Sequence, residues 1–335
     1  MSDNNILEGL NPAQHDAVIH RGGPMLVVAG AGSGKTRVLT HRIAHLIQED
    51  NVSPFGILAI TFTNKAAQEM KDRVARLVGP VAEKMWVSTF HSACVRMLRR
   101  DAKQLGYPSA FSIYDQADAV RLTAYVVRDL GLDSKKFVPR TIHGHISNLK
   151  NELISPDNAL DRAENIFHRK IAETYVEYQR RLRIAGAMDF DDLLTVTVEL
   201  FNKYPDVLDH YQQRFQHVLV DEYQDTNPAQ NDIVLKLADE HRNVFVVGDS
   251  DQSVYAFRGA DIRNILEFEK AFPDTSVVIL NQNYRSTQVI LDAANSVISN
   301  NFGRKPKDLW TDKTTGEKIV LYRADDEVDE AAWII

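Results

Sequence analysis

The sequence has 335 residues but only one cysteine, fewer basic than acidic residues, and no long apolar run. Because Cys94 cannot form an intrachain disulfide or supply a cysteine-rich metal site, a disulfide-stapled secreted domain is excluded, and a reducing cytoplasm is the expected compartment. Asp and Glu outnumber Lys and Arg by 46 to 39, which excludes a wholly cationic surface for nucleic acid or lipid. No stretch approaches the ~20 apolar residues of a membrane span, so we expect no membrane partner.

The composition is that of a folded protein, and the length allows about two domains. Apolar residues make up 44% and charged residues 25% of the sequence, which is typical of globular chains. Short runs rich in Val and Ile alternate with segments of helical spacing, and this alternation predicts an α/β fold around a parallel sheet. The predicted strands are 25–29, 57–62, 85–88, 218–220, 244–247 and 277–280, and the predicted helices between them are 35–47, 65–78, 92–105, 229–237 and 262–272.

Residues 109–188 interrupt this alternation. They contain no strand-like run but have helical spacing at 115–130 and 163–184, which predicts an all-helical insertion. The α/β domain would then be discontinuous, with residues 1–108 and 189–280 as its two parts. Residues 281–335 would begin a second domain, with a helix at 287–299, a short strand at 319–322 and an amphipathic helix from Asp325. Because the sequence ends on an apolar Trp-Ile-Ile, we expect it to be the amino-terminal fragment of a longer protein.

The strongest local motif is a phosphate-binding loop between the first predicted strand and helix. Its glycines allow backbone N–H groups to surround a phosphate, and the helix N-terminus adds further donors. Lys35 is expected to reach the β- and γ-phosphates of ATP, and the Thr36 hydroxyl to bind Mg²⁺. The loop reads Ala29-Gly30-Ala31-Gly32-Ser33-Gly34-Lys35-Thr36.

A second acidic motif complements this loop. Asp221 and Glu222 directly follow the apolar strand at 218–220, where they reach the carboxyl edge of a parallel sheet. We expect Asp221 to hold Mg²⁺ and Glu222 to orient and deprotonate the attacking water. Together the two motifs predict a site that hydrolyses ATP.

Four motifs, in their order along the chain, resemble those of one family. The phosphate loop, Asp-Glu-Tyr-Gln-Asp at 221–225, the Val-Gly-Asp-Ser-Asp-Gln-Ser-Val-Tyr segment at 247–255, and Asn-Tyr-Arg-Ser-Thr at 283–287 resemble those of the UvrD/PcrA/Rep superfamily 1 DNA helicases. The resemblance covers essentially the whole chain. It implies a RecA-like first domain, a helical insertion and the start of a second RecA-like domain, which use ATP and Mg²⁺ to move 3′ to 5′ on single-stranded DNA.

The resemblance also implies roles for further residues around the nucleotide. Gln14 matches the residue that reads adenine, and Arg37 and Tyr284 match the pair that stacks on it. Gln252 matches the residue that senses the γ-phosphate, and Arg285 matches a cation that contacts it from the second domain. The predicted nucleotide-binding residues are therefore Gln14, Ala31, Gly32, Ser33, Gly34, Lys35, Thr36, Arg37, Tyr284 and Arg285, with Glu222, Lys35, Gln252 and Arg285 as catalytic residues.

A DNA track is implied in the same way. Residues 61–105 contain nine Lys/Arg and four Asp/Glu, a local excess that suggests a phosphate-facing strip. Phe257 occupies a position where the family commonly has Trp, so we expect weaker base stacking there. The predicted DNA-binding residues are Phe62, Asn64, His91, Phe190, Tyr255, Phe257 and Arg258. Such contacts carry little sequence information, so the expected partners are single-stranded DNA and duplex/single-strand junctions, with DNA repair proteins as further partners.

Three alternatives remain at this point. The chain could be the helicase part of a helicase-nuclease, which shares these motifs. As an isolated fragment it could be a nucleotide- and DNA-binding module without efficient turnover, because the second wall of the cleft is incomplete. The third alternative is a small-molecule kinase on a P-loop fold, against which the lack of an evident acceptor site argues.

Overall fold

The computed structural model describes residues 6–256, 259–301 and 304–335. Its centre is a parallel sheet, and its strands are β1 Met25–Ala29, β2 Ile57–Thr61, β3 Trp86–Thr89, β6 His217–Val220, β7 Val244–Gly248 and β8 Ser276–Leu280. Their order across the sheet is β3-β2-β6-β7-β1-β8. The predicted parallel α/β fold is therefore confirmed, and each predicted strand of the sheet lies within two residues of its observed bounds.

Both faces of the sheet are covered at its centre, which explains why β1, β2 and β7 are buried at every position, whereas the edge strand β8 is largely exposed. Successive side chains of β1 enter opposite cores: Leu26 and Val28 join one apolar cluster, and Val27 joins the other. The register aligns Val27 with Val247 on β7 and with Val278 on β8.

Helices cover the two faces. The helices α2 and α3 pack on the face that contains Val27, and α4, α9 and α11 pack on the other face. The helix predicted at 262–272 is instead two short helices that meet at Glu267, where the backbone leaves helical geometry (ψ 7°). The helices of this part are α1 Pro12–Ile19, α2 Lys35–Gln48, α3 Asn64–Val78, α4 Phe90–Asp101, α9 Phe190–Lys203, α10 Pro205–Arg214, α11 Pro228–Ala238, α12 Arg263–Leu266 and α13 Phe268–Ala271.

The insertion contains four helices and its own apolar core. Its prediction as all-helical is wrong, because β4 Ser112–Tyr114 pairs in parallel with β5 Ala187–Asp189 at its base. The side chains of β4 are exposed or half-buried, so this three-residue strand has no apolar pattern by which the sequence could reveal it. The four helices are α5 Gln116–Asp129, α6 Pro139–Asn151, α7 Pro156–Asp161 and α8 Ile166–Ile184.

The last part of the chain packs against the carboxyl edge of the sheet. It contains α14 Gln288–Ile298 and α15 Glu327–Ile334, and Gln282 pairs with Trp310 in an isolated parallel bridge. The strand predicted at 319–322 does not form; Leu321 is 94% exposed, and a strand without a partner cannot satisfy its backbone hydrogen bonds. Among the residues that the structure describes, none of the helices combines the length and apolarity needed to cross a bilayer.

Candidate functional site

The phosphate loop joins β1 to α2 with two glycines in left-handed backbone. Gly32 has a φ of +65° and Gly34 a φ of +90°. A Cβ atom at Gly34 would lie 2.8 Å from Nε2 of Gln14, so the close approach also requires glycine. Ser33 closes the turn by donating through Oγ to the Gly30 carbonyl at 2.7 Å. The loop therefore leads directly into the N-terminus of α2, where backbone N–H groups can receive a phosphate.

The structure brings the two predicted catalytic motifs together. Nζ of Lys35 donates to Oε2 of Glu222 at 2.7 Å, and Oγ1 of Thr36 donates to Oδ2 of Asp221 at 3.5 Å. Glu222 has a φ of +51°, a left-handed conformation that costs a non-glycine residue free energy and is often found at functional sites. The acids at the end of β6 thus face the loop after β1.

These residues fit a magnesium ion bound together with ATP. Burial, reinforced by the neighbouring Glu222 carboxylate, raises the pKa of Asp221 to about 6. A nearby cation would favour its ionised form. The Thr36 hydroxyl and the Asp221 carboxylate supply the oxygen ligands that Mg²⁺ prefers.

Gln14 and Tyr284 lie beside the phosphate loop, as predicted for the adenine side. The Gln14 amide is buried, and it donates to the Ser33 carbonyl at 2.8 Å while its oxygen accepts from the backbone of Asn11 at 3.1 Å. The Tyr284 hydroxyl accepts from Nδ2 of Asn11 at 2.8 Å, and its backbone N–H donates to the Gly32 carbonyl at 3.0 Å. Arg37, in the first turn of α2, donates to the Glu8 carbonyl at 3.4 Å. Their contact with adenine stays a prediction.

Asn283 belongs to the motif at 283–287, but no role was predicted for it. Its side-chain amide donates to the Ala31 carbonyl at 2.6 Å, and its oxygen accepts from the backbone N–H of Arg285 at 2.8 Å. Arg285 is thereby placed near Gly32, where a Cβ atom would lie 2.9 Å from Cβ of Arg285. A role of the Arg285 guanidinium at the γ-phosphate stays a prediction.

Gln224 and Asp249 also belong to predicted motifs without a predicted role, and they link the acids after β6 to the loop after β7. Nε2 of the buried Gln224 donates to Oε2 of Glu222 at 3.0 Å, while Oε1 accepts from the backbone N–H of Asp249 at 2.9 Å. Asp249 in turn accepts a hydrogen bond from Nε2 of Gln252. The available signal was their position, since polar residues that follow neighbouring buried strands meet at one sheet edge.

A cleft of about 470 Å³ opens between this edge and α6 of the insertion. Threonines cap the helices that line it: Thr63 accepts from the backbone of Ala66 at 3.1 Å, and Thr89 from that of Ser92 at 3.3 Å. These caps place Phe62 and His91 at the cleft. The lining residues are Thr61, Phe62, Thr63, Thr89, Phe90, His91, Gln116, His143, Gly144, Ser147, Asn148, Asn151, Asp191, Asn227, Gln230 and Tyr255.

Four of the predicted DNA-binding aromatic side chains form two pairs. The rings of Phe62 and Tyr255 stack with centroids 5.0 Å apart, and the half-exposed Phe190 meets His91 edge-on at 5.9 Å. Asn64 is exposed at the start of α3 and lies outside the cleft lining. The predicted Phe257 and Arg258 fall outside the residues that the structure describes.

The basic strip predicted from charge does not line this cleft, because none of the described lining residues is Lys or Arg. Arg99 instead donates to the Phe111 carbonyl at 2.6 Å, and the guanidinium of Arg96 lies over the Trp86 ring. Burial lowers the pKa of His91, and burial together with the Asp189 charge raises the pKa of Asp191 to about 6. The cleft therefore offers aromatic faces and neutral hydrogen-bonding groups more than positive charge.

Comparison with known proteins agrees with this geometry. Residues 10–273 match the UvrD/REP helicase N-terminal domain, and residues 278–335 match the UvrD-like helicase C-terminal domain. The chain is 54% identical over 332 residues to the ATP-dependent DNA helicase PcrA of Staphylococcus aureus (strain NCTC 8325 / PS 47), which covers 99% of this chain and 46% of that protein.

Two further relatives are similar over the same region. They are the PcrA helicase of Bacillus subtilis (strain 168), with 53% identity over 99% of this chain and 45% of the relative, and the helicase UvrD1 of Mycobacterium bovis (strain ATCC BAA-935 / AF2122/97), with 56% identity over 98% and 44%. The chain thus spans less than half the length of these curated relatives. Its match to the family model, together with these identities, shows that the chain belongs to the UvrD/REP helicase family.

Proposed function

We propose that this chain binds ATP with Mg²⁺ and single-stranded DNA, as part of an ATP-dependent DNA helicase or translocase. One observation carries the proposal: hydrogen bonds run from Glu222 through Gln224 and Asp249 to Gln252. Tyr255, three residues further on, stacks on Phe62 in the cleft. A change at the phosphate end of this path can therefore reach the aromatic rings that would hold a base.

The site supports hydrolysis by a metal-assisted attack of water. A γ-phosphate oxygen would replace Glu222 as the partner of Lys35, and the released Glu222 carboxylate would accept a proton from the attacking water. Thr36 and Asp221 would hold the ion that neutralises phosphate charge. Arg285 would stabilise the charge that develops in the transition state.

The cleft supports binding of unpaired nucleotides of any sequence. Its aromatic groups give stacking surfaces, and its amide and hydroxyl groups can donate to phosphates. The Phe62 and Tyr255 rings are too close to admit a base between them, so a base would stack on an outer ring face or separate the pair. We also propose Phe257 and Arg258 as DNA contacts, because they match the DNA-contacting positions of the family.

The finer assignment rests on the family. We propose 3′ to 5′ movement, a role in DNA repair or replication in the cytoplasm, and action at duplex/single-strand junctions. The relatives are named ATP-dependent DNA helicases, which supports this activity. A nuclease domain elsewhere in the natural gene product would favour the helicase-nuclease alternative.

The deciding experiment measures ATP hydrolysis with and without single-stranded oligonucleotide, for this chain and for the complete natural gene product. We expect DNA to stimulate the complete protein and the isolated chain to bind ATP but turn it over slowly. A Lys35→Ala variant is the control for contaminating ATPase. Hydrolysis by the complete protein that is insensitive to DNA would contradict the proposal. Displacement of streptavidin from the 5′ end, but not from the 3′ end, of a biotinylated strand would support the polarity.

A further inference from the structure

Lys307 is a buried lysine that lies outside the predicted motifs in sequence but beside them in space. Its side chain is 1% exposed, and Nζ lies 2.7 Å from Oδ1 of Asp249 and 2.6 Å from Oδ2 of Asp251. Arg304 reaches the same Asp251 oxygen at 2.7 Å. Two cations and two carboxylates thus form a balanced cluster at the carboxyl end of β7.

Such a cluster needs all its members. Burying an ammonium group is costly unless it is paired and hydrogen-bonded, and removal of one partner leaves the others uncompensated. The segment that carries Lys307 also packs on the phosphate loop by apolar contact. A Cβ atom on Gly30 would lie only 2.0 Å from Cδ2 of Leu309, which shows how closely the segment covers the phosphate loop.

Asp249 connects Lys307 to Gln252. Its Oδ1 atom accepts from Lys307 and, at 3.0 Å, from the backbone N–H of Asp251. Its Oδ2 atom accepts from the side chain of Gln252, and its carbonyl accepts from the Gln252 backbone at 2.9 Å. The orientation of Gln252 therefore depends on a carboxylate that Lys307 holds from the other side.

We propose that Lys307 is a positioning residue for Gln252, which acts through Asp249 and couples the 304–310 segment to the nucleotide site. The inference rests on the proposed function for its consequence, because Gln252 is the predicted γ-phosphate sensor. Movement of this segment would release Asp249 and with it Gln252. Lys307 is thereby a further contact, besides those of Asn283 and Tyr284, between the C-terminal part of the chain and the hydrolysis site.

The first test is hydrogen–deuterium exchange on the 335-residue chain without nucleotide. In Lys307→Gln we expect the backbone N–H groups of Asp251 and Gln252 to exchange about 10-fold faster than in wild type, while β1 and β6 keep their protection. Lys305→Gln is the matched control, because Lys305 is on the same segment and pairs with Glu269 at the surface. Unchanged exchange at both amides in Lys307→Gln would overturn the proposal.

A second variant covers the case in which Lys307→Gln does not fold. Lys307→Arg keeps the positive charge, and we expect it to keep the protection of both amides. Rapid exchange at 251 and 252 in a folded Lys307→Arg protein would contradict the role of the charge.

Measurement of ATP turnover distinguishes a failure of this inference from a failure of the proposed function. In the complete gene product, Lys307→Gln should lower the DNA-stimulated kcat roughly 10- to 100-fold and change the KM for ATP little, because misplacement of a catalytic group acts on the chemical step. A wild-type protein that does not hydrolyse ATP would refute the proposed function and leave the exchange result standing. Normal turnover and normal exchange in Lys307→Gln would refute the inference alone.

Discussion

Nζ of Lys35 donates to Oε2 of Glu222 at 2.7 Å. The cation expected to hold a phosphate is thus paired with the carboxylate expected to activate water. Gln224 donates to the same Glu222 oxygen at 3.0 Å, so both donors hold one carboxylate in place. ATP binding would have to break the first of these bonds, and the second would then orient the free carboxylate. The ion pair therefore fixes the positions of both side chains relative to each other.

Replacement of Glu222 by Gln should separate binding from hydrolysis. The amide keeps the size of the side chain but cannot accept a proton from water, so we expect kcat for ATP to fall about 100-fold or more. Affinity for a fluorescent ATP analogue should be retained. Phosphate release and equilibrium titration measure the two quantities.

Glu199→Gln is the control for this variant, since Glu199 forms a surface ion pair with Lys203. Unchanged turnover in Glu222→Gln would exclude the proposed role as base.

Replacement of Phe62 by Ala should weaken DNA binding without affecting ATP. The change removes one ring of the stacked pair with Tyr255, and loss of a stacking platform typically costs ~1–3 kcal/mol. We expect a roughly 10-fold higher Kd for a labelled thymidine oligonucleotide in fluorescence anisotropy. Phe55→Ala is the control, because Phe55 is an exposed aromatic residue in the turn before β2, at the opposite edge of the sheet. An equal loss of ATP affinity would argue against separate sites.

Replacement of Lys150 by Met should destabilise the junction between the insertion and α9. Nζ of the buried Lys150 lies 2.8 Å from Oδ2 of Asp189 and 2.8 Å from Oδ1 of Asp192. Without the lysine two carboxylates stay buried and uncompensated, and we expect the free energy of unfolding to fall by about 3–5 kcal/mol. Urea unfolding at pH 8 measures this, with Lys203→Met, which breaks a surface pair, as the control. A loss no larger than in that control would contradict the prediction.

The stability that Lys150→Met loses relative to wild type should depend on pH in a defined direction. Burial and the Asp189 charge raise the pKa of Asp192 to about 6. At Asp189 burial acts in the same direction, but the charge and hydrogen bond of Lys150, together with the hydrogen bonds from Asp192 and Tyr178, outweigh it and lower the pKa. Loss of Lys150 raises both folded-state values above those of the unfolded chain, so the folded variant binds protons more readily as the pH falls. The stability difference from wild type should shrink between pH 8 and pH 5.5. A difference that widens toward acid would refute this account of the cluster.

Cys94 should be chemically inert in the folded protein. Complete burial raises the pKa of its thiol to about 12, so the reactive thiolate is nearly absent at pH 8. We expect a chromogenic disulfide reagent to label about one thiol per chain in denaturant and to react at least about 1,000-fold more slowly without it. Rapid labelling of the native protein would show that this side of α4 opens.

Prediction from sequence succeeded where neighbouring residues carry the whole signal. The positions of the loop around Lys35 and of the acids at 221 and 222 followed from local properties, namely glycine conformation, strand apolarity and helix start, while the roles of these residues stay predictions. It failed where the partner is distant or the element is short. The strand β4 has only three residues and no buried face, and the arginines of α4 were counted as a charge strip although Arg99 binds backbone carbonyls.

Residue types at fixed spacing along the chain were enough to predict the parallel α/β fold, the phosphate loop and the family. The folded structure was needed to show that Gln224 and Asp249 join Glu222 to Gln252, and that Lys307 reaches Asp249 from 58 residues away along the chain. The physical reason is that a buried charge or amide must find a partner wherever packing supplies one. The spacing of residues along the sequence does not indicate which partner that will be.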